Sequence, residues 1–207
     1  MGRITPRDAA LLAEVAEGRF YLREQLQGLF FNKLQGPQKA QERLRKLCLA
    51  KQLRRRRIGS QGGYVYYSNP WSEKYNHWLV LNWVYVALTT QAKSWQKVSV
   101  FKREYVFGNL RADALACVDN IVKKERQIFF IEADNATHPF VDKYRKVAES
   151  LEFSLNHPWW YAGGFPRVLV VTNRLSKIGE SVLGSPVKYC LTTLDDVRQD
   201  VYACLRR

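Results

Sequence analysis

Residues 37–67 constrain this chain more than any other stretch. After Gly36-Pro37, the run Gln38-Lys39-Ala40-Gln41-Glu42-Arg43-Leu44-Arg45-Lys46-Leu47-Cys48-Leu49 has helical spacing, with Leu44, Leu47 and Cys48 toward one face. Leu53-Arg54-Arg55-Arg56-Arg57-Ile58 follows, then the turn Gly59-Ser60-Gln61-Gly62-Gly63 and the strand-like Tyr64-Val65-Tyr66-Tyr67. Helix, strand, glycine turn, strand is the order of a winged helix-turn-helix. Its exposed positions are basic, which predicts double-stranded DNA as the partner.

Charge agrees with that placement. The net charge is +14, from 33 Lys/Arg against 19 Asp/Glu. Residues 1–67 hold 14 of the cations and only 5 of the acids, so the excess concentrates in the N-terminal third. With 46% hydrophobic and 25% charged residues the chain reads as globular rather than disordered. Cys48, Cys117, Cys190 and Cys204 lack paired spacing, which argues against zinc and against a disulfide framework. The start lacks the apolar core of a signal peptide, and no apolar run reaches membrane-spanning length. A cytoplasmic protein is expected.

Upstream, Thr5-Pro6-Arg7-Asp8 opens a helix: Thr as N-cap, Pro in the first turn, an acid near the positive end. That helix stops at Gly18, and a second is expected from residue 21 to 31. Ser68-Asn69-Pro70 punctuates the end of the wing, so two domains are expected, 1–69 and 70–207. The second begins with a helix over 72–90. Strands follow over 98–106, 110–118 and 127–133, then a helix over 139–153 and a strand over 167–172. A helix over 176–182, a strand over 187–191 and a helix over 194–205 complete a mixed α/β domain.

The carboxylates of this second part carry its chemistry. Side chains two apart on a strand share a face, which aligns Asp113 with Leu115 and Cys117. The same rule puts Glu132 and Asp134 on the face of Ile128 and Phe130. If residues 110–118 and 127–133 pair as a hairpin, Asp113 lies near Glu132. Acids at the end of an apolar sheet are costly to desolvate unless paired, and Mg²⁺ is a fitting partner. On the next helix Phe140, Tyr144, Val147 and Leu151 form the buried stripe, with Lys143 at its edge in reach of those acids or a phosphate. Glu104 offers a further acid. The bland alternatives are an edge-strand acid at Asp113, turn and cap residues at Asp134-Asn135, and a solvated lysine at Lys143. His77 and His138 have no nucleophile to serve, and Gly163-Gly164 lacks the lysine and spacing of a phosphate loop. Most of the tryptophans read as packing residues.

Several stretches together resemble the plasmid replication-relaxation family. These are the Thr5-Pro6-Arg7-Asp8 helix, the Leu44-x-x-Leu47 helix with its basic wing, and Asn76-His77-Trp78-Leu79-Val80-Leu81-Asn82-Trp83-Val84-Tyr85. Arg111-Ala112-Asp113-Ala114 is similar to that family's Arg-Pro-Asp-Ala, and Phe130-Ile131-Glu132-Ala133-Asp134 to its aliphatic-Glu-x-Asp. Lys143-Tyr144 matches the element that follows. The resemblance spans residues 5–172. It implies a winged helix-turn-helix followed by a restriction-endonuclease-like α/β domain of the P-D-(D/E)-x-K kind, acting in plasmid replication or DNA relaxation. Ala112 stands in place of the proline, and Asp134 in place of the nuclease lysine. Lys143 either supplies that lysine from the next helix or marks a fold that has kept only binding.

The resulting expectation is a double-stranded DNA-binding protein of a plasmid or mobile element. Gln38, Lys39, Gln41, Arg43, Arg45 and Lys46 would face the major groove, and Arg54, Arg55, Arg56 and Arg57 the phosphates. The enzyme alternative is a Mg²⁺-dependent endonuclease, with Asp113 and Glu132 as metal ligands and Asp134 and Lys143 assisting. A homodimeric transcriptional regulator is a third reading.

Overall fold

Thr5 begins the first helix by a reciprocal exchange: its hydroxyl accepts the Asp8 N–H at 3.2 Å, and the Asp8 carboxylate accepts the Thr5 N–H at 2.7 Å. Pro6 sits in the first turn, where its missing N–H costs nothing. The computed structural model describes residues 4–32, 35–59, 63–133, 141–150 and 164–206. Contacts divide the chain into two compact units, Met1–Val86 and Ala87–Arg207.

The first unit runs α1 (Pro6–Gly18), β1 (Phe20–Leu22), α2 (Arg23–Phe30), α3 (Gly36–Leu49), β2 (Arg54–Arg57) and β3 (Tyr64–Tyr67), then enters α4 (Tyr75–Thr90). Its strands form an antiparallel sheet in the order β1-β3-β2. β1 corrects the expectation of a helix from residue 21. Three residues are too few to display strand alternation in sequence, yet Phe20 and Tyr21 are both fully buried in the paired strand.

One core joins Leu11 and Val15 of α1, Tyr21 of β1, Leu26 of α2, Ala40, Leu44 and Leu47 of α3, and Tyr66 of β3. Ala40, Leu44 and Leu47 recur at helical spacing, so α3 keeps its opposite face exposed. Gly36 permits the sharp entry into α3, because a Cβ there would lie 2.0 Å from the Phe31 carbonyl oxygen.

α4 is apolar nearly all round, the pattern of a buried helix. Asn82 is fully buried, and its Nδ2 donates to the carbonyls of Gly18 at 2.8 Å and Phe20 at 2.7 Å. Gln25 Nε2 donates to the Leu79 carbonyl at 2.8 Å. These bonds hold the first turns of α4 to β1 and α2. Ser68-Asn69-Pro70 therefore lies inside the first compact unit, which ends at Val86.

The second unit comprises β4 (Gln96–Phe107), β5 (Leu110–Asn120), β6 (Glu125–Ala133), α5 (Val141–Ala148), β7 (Arg167–Val171), α6 (Leu175–Val182), β8 (Tyr189–Thr192) and α7 (Leu194–Cys204), preceded by the end of α4. Its five strands lie in sequence order. β4, β5 and β6 are antiparallel neighbours, and β7 and β8 continue in parallel. Central strands β6 and β7 read as continuous apolar runs because both of their faces are covered. α7 breaks its helical geometry at Asp200, and Gln91 repairs the break: its Oε1 accepts the Val201 N–H at 2.7 Å and its Nε2 donates to the Arg198 carbonyl at 2.9 Å. The chain is a mixed α and β protein, as expected. Asp134, His138 and Trp159-Trp160 lie outside the described residues, as do both ends of the helix expected over 139–153. Among the described residues no helix is long and apolar enough to cross a membrane.

Candidate functional site

β2 consists of four arginines at the edge of its sheet. Register pairs Arg54 with Tyr67, Arg55 with Tyr66, Arg56 with Val65 and Arg57 with Tyr64, so alternate arginines point to opposite faces. All four are nevertheless exposed, because an edge strand of a narrow sheet lets long side chains pass either rim. The Arg55 guanidinium lies 4.4 Å from the Tyr64 ring centroid, and that of Arg56 lies 4.5 Å from the Trp71 ring. Stacking on a ring holds the guanidinium plane and leaves its N–H edges able to meet an anion.

The exposed face of α3 presents Gln38, Lys39, Gln41, Arg45 and Lys46. Lys46 meets Glu42 one turn back at 2.5 Å, both side chains more than half exposed, a pair that water weakens. Arg43 does not belong to this set. Its side chain is 20% exposed, and it closes on the fully buried Asp8, Nε to Oδ1 at 2.7 Å and Nη2 to Oδ2 at 2.5 Å. Burial opposes the Asp8 charge, but the hydrogen bonds from Arg43 and Thr5 outweigh it and draw the carboxyl down to about 2. Arg43 thus differs from its neighbours on α3 in being tied to a buried carboxylate of α1.

The second unit gathers an acidic centre. Ala114 stands opposite Ile131 and Leu115 opposite Phe130, so one step further the antiparallel ladder brings Asp113 across from Glu132. Asp113 Oδ2 accepts the N–H of Ala133 at 2.8 Å. Glu132 sits at the carboxyl end of β6, beside Val170 of parallel β7, with its side chain 8% exposed. α5 packs Val141 and Tyr144 against the sheet, and Tyr144 donates its O–H to Glu132 Oε1 at 2.5 Å. Lys143, one residue away at the rim of that face, places Nζ 2.8 Å from the same Oε1 and donates to the Arg111 carbonyl at 2.6 Å. Asp113, Glu132 and Lys143 thus come together from β5, β6 and α5. Asp134, the fourth residue expected here, is outside the described residues. Glu104 is exposed in the middle of β4, at φ 49°.

Burial, reinforced by the charge of Asp113, raises the Glu132 carboxyl to about 7, against the opposing pull of Lys143 and Tyr144. Burial first, then the negative Glu132, pushes the Tyr144 hydroxyl well above its ordinary value, which keeps it a donor. A carboxylate buried at such cost, with a second carboxylate across the ladder from it, is the kind of donor set that suits a hard divalent cation completed by water and phosphate oxygens. Among the described residues no group of three His, Cys, Asp or Glu could hold a metal ion, so the fit rests on this pair. A hollow of about 320 Å³ opens alongside, lined by Lys143 and Lys146 together with Phe107, Gly108 and Asn109. Its two lysines give it the charge for a phosphate.

Tyr144 reads from sequence only as part of a buried stripe and of the Lys143-Tyr144 element, and Tyr64 and Trp71 carry no sign there of their arginine contacts. No local pattern announces that an arginine will stack on a ring across a strand or beyond it.

Residues 68–168 match the family model described as replication-relaxation. The matched span contains α4, β4, β5, β6 and α5, and with them Asp113, Glu132 and Lys143. No curated protein and no solved structure matches the chain.

Proposed function

From the match of residues 68–168 to the replication-relaxation family model, which suggests a role in plasmid replication and relaxation, we propose that this chain acts by binding double-stranded DNA. The observation that carries the reading is the row of four exposed arginines on β2, two of them stacked on aromatic rings, beside an exposed basic face of α3. In this reading the first unit is a winged helix-turn-helix. α3 enters the major groove, where Gln38, Gln41 and Arg45 meet base edges, while Lys39, Lys46 and Arg54 to Arg57 hold phosphates. The test is a salt titration of affinity for plasmid DNA: a steep fall of log K with log salt is expected, and a flat one rejects the reading.

A second reading is favoured by the convergence of Asp113, Glu132 and Lys143. It makes the second unit a nuclease-like domain that cleaves or nicks the DNA the first unit selects. Asp113 and Glu132 would hold Mg²⁺, which when bound would polarise a phosphoryl oxygen and activate water. Lys143 neutralises charge that develops on the phosphate, and Tyr144 fixes the rotamer of Glu132. Nicking of supercoiled plasmid with Mg²⁺, absent in Asp113→Asn, is the expected result. Intact supercoils under wild-type protein leave the domain a binding role.

A further inference from the structure

We propose that the β5–β6 hairpin tip is a wedge that inserts Ile121 and Val122 into the minor groove of duplex DNA. The inference rests on the duplex-binding reading above and assigns it a second contact.

Tips of hairpins are ordinarily built from Gly, Asn, Asp, Ser and Pro, which suit both tight turns and water. Here residues 121–124 instead begin with two β-branched apolar side chains, Ile121 at 58% and Val122 at 75% exposure. Asn120 fixes their presentation, its Oδ1 accepting the N–H groups of Val122 at 3.2 Å and Lys123 at 3.0 Å. At the base, the Ile121 N–H donates to the Trp95 carbonyl at 2.9 Å, and the half-exposed Trp95 ring carries the Lys93 ammonium 5.2 Å from its centroid. β-Branched side chains have few rotamers, so this tip offers a stiff apolar edge on a braced turn.

Charge selects the occupant. Lys123 and Lys124 follow the apolar pair directly, and Lys97 stands on β4 opposite Asp119. Asp119 is already bound to Arg126 at 2.6 Å, which leaves Glu125 as the one other acid within residues 119–126. An apolar point ringed by ammonium groups matches a groove whose floor is stacked bases and whose walls are phosphates. Side chains of this size part a base step there and bend the duplex by roughly 20–90°.

The test is energy transfer between dyes at the two ends of a short plasmid-derived duplex that the 207-residue chain binds. Wild type is expected to shorten the end-to-end distance. Ile121→Ser/Val122→Ser, with an unchanged melting temperature, is expected to bind with most of the bend lost, and Val122→Leu to keep it. Binding by wild type without a bend, or a bend that survives the double serine variant, overturns the wedge alone. Failure of wild type to bind any duplex overturns the parent reading and the wedge with it. Capture of the tip by anionic phospholipid vesicles, with the DNA bend untouched by the serines, assigns it to a membrane surface and also overturns the wedge.

Discussion

Arg43 and Asp8, 35 residues apart in sequence, are joined by two parallel hydrogen bonds, and the same carboxylate caps the first turn of α1. One buried acid therefore ties the start of α1 to the middle of α3. Removing the arginine takes two charge-assisted hydrogen bonds from Asp8 and leaves it only the Thr5 cap. Arg43→Ala is expected to destabilise the protein by roughly 1.5–3 kcal/mol, read from chemical denaturation. Lys39→Ala and Arg45→Ala, on the exposed face of α3, are expected to change stability by less than about 0.5 kcal/mol. Equal stability losses at all three positions would deny the Arg43–Asp8 pair its part in holding α1 to α3.

The same pair sets a pH dependence with a definite sign. Asp8 is held at about 2 in the folded protein, below its ordinary 3.8. A depressed carboxyl contributes stability that is complete above the unfolded value and disappears as pH falls through the folded one. The stability gap between wild type and Asp8→Asn is expected to be constant from pH 7 to about 5 and to close between about 4 and 2. Thermal melts across that range give the comparison. A gap unchanged at pH 2 rules the linkage out.

Arg55 and Arg56 are the wing arginines already posed on rings, so the ordering cost of meeting phosphates is smallest for them. Arg55→Ala/Arg56→Ala is expected to weaken binding to all duplex sequences alike and to lower the salt slope by about two, one per lost phosphate contact. Gln41→Ala, by contrast, is expected to alter the preference among sequences with the slope intact. A double alanine variant with the wild-type slope removes β2 from the interface.

Much of this arrangement is legible in the chain because it obeys short-range rules. Thr5 and Asp8 announce their cap, and alternation aligns Asp113 with Leu115 and Glu132 with Phe130. The helical stripe of α5 puts Lys143 at its rim, 2.8 Å from Glu132. What stays hidden depends on long-range partners. β1 has three residues and exists only because β3 pairs with it. Arg43 looks like its basic neighbours until Asp8 arrives from another helix. α4 reads as the start of a new domain, yet Asn82 and Gln25 bind its first turns to β1 and α2 of the same compact unit.

Asn82 supplies the next expectation. Its amide serves two carbonyls, those of Gly18 and Phe20, at the point where α1 gives way to β1. Asn82→Leu keeps the size of the side chain but removes its amide, and strands both acceptors away from water. A loss of roughly 2–4 kcal/mol is expected, since each orphaned group costs about 1–3 kcal/mol and some relaxation follows. Denaturant midpoints report it, and amide exchange at Phe20 to Leu22 is expected to accelerate in parallel. A neutral substitution would mean that those carbonyls are satisfied without Asn82.

At the acidic centre, cation binding and proton binding compete for Glu132. Its folded value of about 7 lies above the ordinary 4.5, so the carboxyl is a liability that grows as pH rises through that interval, the reverse of Asp8. A divalent cation between Asp113 and Glu132 favours the ionised pair and stabilises only the folded form. Mg²⁺ is therefore expected to raise the melting temperature clearly at pH 8 and little at pH 6, with Glu132→Gln and Asp113→Asn indifferent at both. Tyr144→Phe removes one donor to Glu132 Oε1 while keeping the ring against Phe130, so it is expected to raise the pH at which the Mg²⁺ effect sets in. Melting temperatures in Mg²⁺ and in chelator, with plasmid nicking assayed in the same buffers, separate the possibilities. A Mg²⁺ shift without nicking describes a domain that binds the cation and holds DNA. No shift at pH 8 removes Asp113 and Glu132 from the list of metal ligands.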